Sequence, residues 1–118
     1  MVDKAKRIIA LFDVDQTLTP ARKSIERSMI DTLEACRAKG IAIGIVSGSD
    51  LHKVTEQVGE DQVKRAEYTF SENGLYALKS GEFFSKKSIQ DHMGEDSLKK
   101  FINFCLHYIA DLDIPIKR

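Results

Sequence analysis

Several patterns that would assign a chain quickly to a class are scarce here. There are only two cysteines, Cys36 and Cys105, far apart on apolar stretches. They have neither metal-ligand spacing nor the look of a disulfide framework, so two reduced thiols are expected. There is no surplus of charge: Lys+Arg and Asp+Glu both number 18 in 118 residues, for a net charge of zero. Nucleic acid and anionic membrane surfaces select an excess of Lys and Arg, so neither is expected as a main partner. No apolar run approaches the length of a membrane span. The start, MVDKAKR, is charged and leads only into a short apolar run, unlike a signal peptide. A cytoplasmic protein without a membrane partner is the expectation. Low-complexity segments and internal repeats are also missing. His52, His92 and His107 share no ligand spacing and read as surface histidines. Lys53, Lys64, Lys99-Lys100 and Lys117-Arg118 read as solvated charges.

What is present is enough for one α/β domain and the beginning of something else. Hydrophobic residues make up 42% of the chain, which supports a real core. Arg7–Phe12, RIIALF, reads as a buried strand. Ser24 can cap a helix running to about Lys39, with Ile25, Met29, Leu33 and Cys36 on one face and Gly40 ending it. Ile41–Val46 is a second buried strand. Asp50 can cap a helix that reaches Val58, before Gly59, and Tyr68–Ser71 is a third strand. Strand and helix alternating through short loops predicts a doubly wound parallel sheet. After Asn73-Gly74 the pattern becomes a hairpin meander, with Leu75–Lys79 and then Phe83-Phe84 beyond the Ser80-Gly81 turn. A long helix follows from about Glu95 to Asp111. One stripe carries Leu98, Phe101, Ile102, Cys105, Ile109 and Leu112, while Phe104, Leu106 and Tyr108 make a second apolar face. A helix apolar on two faces wants two partners. Domain swapping, dimerisation or further sequence could each supply them.

The stretch FDVDQTLTP, residues 12–20, carries the chemistry. Asp13 and Asp15 flank Val14, so in extended backbone they project to the same side at the carboxyl end of the first strand. Ligands bind at that edge of open α/β sheets. Two close carboxylates suit a hard cation such as Mg²⁺. One can also attack phosphorus while the other exchanges protons with the reacting oxygens. The plain alternative is an acidic turn with two solvated aspartates. Thr17 adds a hydroxyl and an N–H nearby, and Arg22 adds a guanidinium fork. Ser47-Gly48-Ser49 ends the second strand, which the crossover rule places beside the first, and offers hydroxyls and N–H groups to a phosphate. Asn73 reads as a turn residue that could also steady the site's edge.

D-x-D-x-T-L-T after a buried strand resembles the first signature of the haloacid-dehalogenase-like phosphotransferases. Leu11–Arg22, Ile43–Asp50, Ser71–Gly81, Ser85–Glu95 and Phe101–Ala110 together resemble eukaryotic phosphomannomutase. The resemblance implies a partial Rossmann-like core over residues 1–81 and the start of an α+β cap over 82–118. It implies Asp13 as nucleophile, Asp15 as general acid/base, and Mg²⁺ held by Asp13 and the backbone carbonyl of Asp15. Thr17, Arg22, Ser47, Gly48 and Ser49 would bind substrate and phosphate. The reaction implied is the exchange of mannose 6-phosphate and mannose 1-phosphate, with a hexose bisphosphate activator, feeding GDP-mannose. The family is cytosolic and dimerises through the cap. Its chains run well past this length, with further substrate arginines, a lysine and a second acidic motif. This chain therefore reads as a truncated form with weak or no activity of its own. A related sugar-phosphate phosphatase and a non-catalytic dimerisation or binding fragment are the alternatives. Two positions depart from the family pattern. Ser47 replaces a usual glycine and looks harmless. Gln16 also replaces glycine, and if that position needs φ > 0 the loop is strained by about 1 kcal/mol or more.

Overall fold

The computed structural model describes residues 6–115; the first five residues of MVDKAKR and the Lys117-Arg118 pair lie outside this range. The chain parts into two compact units, Met1–Lys86 and Lys87–Arg118.

The first unit is a five-stranded sheet with helices in its crossovers. Strands β1 (Ile8–Asp13), β2 (Ile41–Val46) and β3 (Tyr68–Ser71) lie side by side and parallel, close to the strands expected. Strands β4 (Tyr76–Lys79) and β5 (Glu82–Lys86) then continue the sheet antiparallel, in the order β1-β2-β3-β4-β5. The three parallel strands are the expected Rossmann-like core, and the expected hairpin meander extends them into one mixed sheet. The turn at Ser80-Gly81, with φ of 51° and 79°, is too short for a crossover and permits only a hairpin. β5, assigned from the sequence to the second region, is hydrogen-bonded into this sheet.

Helices α1 (Arg27–Ala38), α2 (Leu51–Val58) and α3 (Glu60–Arg65) bring Leu33, Val54, Val58 and Val63 against Ile43 and Ile45 of β2 and against Val14 and Leu18. Asp50 caps α2 as expected, its carboxylate accepting from the Lys53 N–H at 2.8 Å, and Gly59 at φ 87° ends it. The expected Ser24 cap does not form. Ile25 donates its N–H to the Gln57 carbonyl at 2.7 Å, the backbone stays extended through Glu26, and α1 begins at Arg27. α3 escaped the sequence reading because six residues show no apolar period. It is marked by charge instead, with Glu60 and Asp61 in its first turn and Lys64 and Arg65 in its last, the arrangement that complements the helix dipole.

Because β1 to β2 to β3 steps in one direction, right-handed crossovers leave these helices on one face. The other face carries Ile9, Leu11, Tyr68, Phe70 and Phe84. A Cβ at Gly44 would lie 2.3 Å from Leu11 Cδ2, so only glycine lets Leu11 lie over β2. Tyr68 stacks on Phe70 at 5.7 Å and meets Phe84 edge-on at 5.6 Å. Ile9 and Leu11 stay exposed, and among the described residues no strand lies on the outer side of β1.

The second unit holds the short helix α4 (Ile89–Met93) and α5 (Glu95–Asp111). α5 matches the expected span. None of its side chains is buried, and both apolar faces are present, with Phe104 stacked on Tyr108 at 6.1 Å. Among the described residues no helix is long and apolar enough to cross a membrane.

Glu34 ties α1 to α3. Its carboxylate accepts from both Arg65 terminal nitrogens and from Arg37 at 2.7 Å. The Arg65 hydrogen bonds, more than any other influence, hold Glu34 below its ordinary value despite some desolvation. A depressed carboxylate adds stability that is whole above its unfolded pKa and fades as pH falls through the lower, folded one. Urea midpoints followed from pH 7 to pH 3 are therefore expected to fall on the acid side, and Glu34→Gln is expected to flatten part of that fall. Equal acid slopes for both proteins would refute the assignment. Leu33, 2% exposed between α1 and β2, is expected to cost about 2–4 kcal/mol when cut to alanine, read from the same urea curves.

Candidate functional site

The site is built at the carboxyl end of β1 and β2. Asp13 is paired with Val46 across the β1–β2 ladder, so the residue after Val46, Ser47, lies beside the residue that ends β1. Beyond Asp13 the chain winds around one acceptor. The Val14 carbonyl takes N–H bonds from Leu18 and Thr19 at 3.0 Å each and a hydroxyl bond from Thr19 at 3.3 Å. Val14 and Leu18, 1% and 2% exposed, pin this tight loop into the core. The winding forces Gln16 to φ 60° and Arg22 to φ 57°. Position 16 does require the left-handed region, and glutamine occupies it at a conformational cost.

The other wall comes from two loops stapled together. Ser47 donates its N–H to Phe70 O at 2.9 Å and accepts from Asn73 N–H at 3.0 Å, while Ser49 O accepts from Glu72 N–H at 2.8 Å. The Ser47 hydroxyl accepts from the Ser49 N–H at 3.1 Å, closing the turn. Asn73, at φ 57°, stands over Gly48: a Cβ there would lie 3.2 Å from its Oδ1. A cleft of about 370 Å³ results, lined by Asp13, Val46, Ser47, Gly48, Phe70, Asn73 and Gly74.

The sequence-derived residues therefore divide. Asp13, Ser47 and Gly48 line one cleft, with Asn73 in both of its anticipated roles. Ser49 supports that wall through its backbone. Asp15 is near but engaged elsewhere: its Oδ1 accepts from Gln57 Nε2 at 2.7 Å and from the Arg22 N–H at 3.1 Å. Thr17 lines a separate hollow with Gln16, Thr19, Pro20 and Glu26. Arg22 serves Asp15 through its backbone. The Gln57 amide first, then the Arg22 N–H, holds the Asp15 carboxyl below its ordinary value, with smaller help from the Arg22 and Lys53 charges.

Gln57 is the residue the sequence reading missed. It is 3% exposed, and its side chain and carbonyl together tie the Asp15 loop and Ile25 to α2. The available signal was its place beside Val54 and Val58 on the buried face of α2, where an uncharged polar side chain needs a partner.

For a metal, the Asp13 carboxylate makes no side-chain hydrogen bond among the described residues, whereas one Asp15 oxygen is already taken twice. No cluster of three or more His, Cys, Asp or Glu forms among the described residues. The Asp13 carboxylate and the Asp15 backbone carbonyl are hard oxygens, the donor type that Mg²⁺ takes, and Mg²⁺ keeps several waters where a protein supplies few ligands.

The fold of the chain is shared with solved proteins of the haloacid-dehalogenase class. A haloacid-dehalogenase-like hydrolase from Bacillus subtilis superposes with a TM-score of 0.63 at 18% identity, over 85% of this chain and 34% of that one. A subclass IIB sugar phosphatase of the same superfamily gives 0.59 at 25% identity, over 87% and 38%. The fold class is thus haloacid-dehalogenase-like. The chain belongs to the eukaryotic phosphomannomutase family, whose model matches residues 29–118. It is 50% identical to a phosphomannomutase of Solanum lycopersicum over 118 residues, all of this chain and 46% of that one. It is 51% identical to one of Arabidopsis thaliana over 118 residues, all of this chain and 48% of that one. A phosphomannomutase 2 of Dictyostelium discoideum is 50% identical over 113 residues, 96% of this chain and 45% of that one. The chain spans less than half the length of these curated relatives.

Two outcomes test the loop. Gln16→Gly is expected to stabilise the chain by about 0.5–1 kcal/mol, the relief of a left-handed side chain less the added freedom of the unfolded glycine. Urea unfolding decides it, and an unchanged or lowered midpoint counts against strain at this position. Gln57→Leu is expected to raise the Asp15 pKa toward the ordinary aspartate value, followed by carboxyl ¹³C shifts against pH.

Proposed function

We propose that this chain carries the phosphoryl-accepting half of a phosphomannomutase that exchanges mannose 6-phosphate and mannose 1-phosphate for GDP-mannose synthesis. The carrying observation is Asp13, exposed at the end of β1 and facing Ser47, Gly48 and Asn73 in one cleft, in a chain half identical to phosphomannomutases along its length.

In this reading an Asp13 carboxylate oxygen attacks the phosphorus of a hexose bisphosphate. The P–O bond to the sugar breaks and an aspartyl-phosphate forms. Asp15 takes a proton from the sugar hydroxyl that receives the phosphoryl group, and returns that proton to the leaving sugar oxygen in the transfer that rephosphorylates Asp13. Gln57 and the Arg22 N–H hold Asp15 as a carboxylate, the form needed to take that proton. Ser47, Gly48 and the Ser49 turn face the phosphoryl oxygens, and the Thr17 and Arg22 loop borders the sugar. Bound at Asp13 and the Asp15 carbonyl, Mg²⁺ would offset the charge between carboxylate and phosphate. The chain spans less than half the length of its curated relatives, and this reading takes it, alone, as a weak or inactive form. The enzyme works in the cytoplasm, and in its full length it forms a homodimer through the cap.

Incubated with Mg²⁺ and acetyl phosphate, or with beryllofluoride as a stable mimic, the folded chain is expected to carry an adduct on Asp13, seen by mass spectrometry and NMR. Asp13→Asn should show none. A folded chain without the adduct sinks the nucleophile assignment. The chain alone is expected to convert mannose 1-phosphate no faster than buffer, and enzyme-like turnover would overturn the reading that it needs the rest of the family's length.

A further inference from the structure

The opposite end of the sheet holds a second cleft, of about 420 Å³, that the Asp13 chemistry does not use. It lies where β1, β2 and β3 begin, about 20 Å from Asp13 along the six residues of β1. Four cations line it: Arg7 before β1, Arg37 of α1, Arg65 of α3, and Lys79 at the end of β4. Among the described residues, three carboxylates pair with them. Glu67 takes both its bonds from Arg7, at 2.8 and 2.9 Å, and Glu34 is shared between Arg37 and Arg65. Asp61, exposed at the rim, is 3.8 Å from Arg65. Lys79 pairs with no carboxylate among the described residues and rests over the Tyr68 ring, 5.5 Å from its centre.

Arg37 marks the site. Its side chain is only 16% exposed, and its Nη1 donates to Glu34 at 2.7 Å and Gln62 at 3.1 Å. Its Nε and Nη2 are buried with no acceptor. These two N–H groups form the side-on fork of a guanidinium, the edge that takes two oxygens of a phosphate or carboxylate at once. A buried ionised donor pair without an acceptor is costly, and native proteins rarely leave one unexplained. None of the surrounding cations can satisfy it, since they are donors too. Glu34 is already committed to three nitrogens, and Glu67 to Arg7.

We propose that this cleft is a binding site for a small phosphate-class dianion, separate from the Asp13 site. Two oxygens of the anion accept from Arg37 Nε–H and Nη2–H, which are closed off in this structure and are reached by a side-chain shift at the cleft wall; the remaining charge is met by Lys79, while Arg7 stays on Glu67. The site is independent of the mutase reading and stands or falls apart from it.

The probe is inorganic phosphate, titrated into the ¹⁵N-labelled chain at constant ionic strength with chloride as the balancing anion. Shifts of Arg37 Nε–H and of the Ala42, Ile43 and Ser80 amides are expected to saturate together. They should remain in Asp13→Asn, where phosphate attracted by the other site is set apart. Arg37→Lys keeps the charge but loses the fork, and is expected to weaken binding about tenfold. Should that variant fail to fold, Lys79→Met, on an exposed residue, is expected to weaken it about threefold, as loss of one charge contact would. Shifts that rise linearly, shifts confined to Ser47–Ser49 and Asn73, or an affinity unchanged in the variant that folds would each overturn the proposal.

Discussion

The register of β1 against β2 is the constraint on which the rest of the molecule depends. Asp13 lies opposite Val46, so the last residue of one strand and the first residue past the other meet at the same edge. Side chains alternate between faces along a strand, and a slip of one residue would exchange them all. Phe12, Ile43 and Ile45 would leave the helix-covered core, and Asp13 would turn away from the Ser47 turn. Apolar packing at Ile43 and Ile45, each 1% exposed, therefore holds the functional geometry as well as the fold. The carbonyl of Val14 extends the same control, gathering the loop so that Asp15 ends beside Gln57.

Where one period dominates, the sequence is legible. β2, β3, α2 and α5 can be drawn from apolar runs, stripes, an Asp cap and glycine ends. The failures share a cause, which is that long-range hydrogen bonds override local signals. Ser24 is a good capping residue, yet the Gln57 carbonyl holds the next residue extended. The hairpin of β4 and β5 is legible from its turns, but alternation does not say that β3 is the neighbour it joins. In the site, Asp13, Ser47 and Gly48 could be read because a strand end and a crossover bring them together. The partnership of Asp15 with Gln57 spans 42 positions and could not be. Gln16 shows the same limit. Its departure from glycine is plain in the letters, but its φ of 60° follows from how the loop folds around Val14.

Two ends of one sheet carry opposite chemistry. The carboxyl end presents acidic side chains and loop N–H groups, held by short-range turns and several left-handed residues. The amino end presents guanidinium groups tied across α1, α3 and the strand starts. The first is built from backbone and the second from long side chains. Substitutions at the first act through loop conformation, and those at the second act through charge and reach.

β1 has one further consequence. It is the outermost strand, it presents Ile8, Ile9 and Leu11 to solvent, and it contains neither proline, lysine nor bulge. A flat apolar edge of this kind templates the addition of another strand. Such a flank adds to the exposed apolar faces of α5 as a site where copies of the chain can join. A single lysine placed at Ile9 or Leu11 would act as a gatekeeper against filament growth while leaving the helix-covered interior untouched.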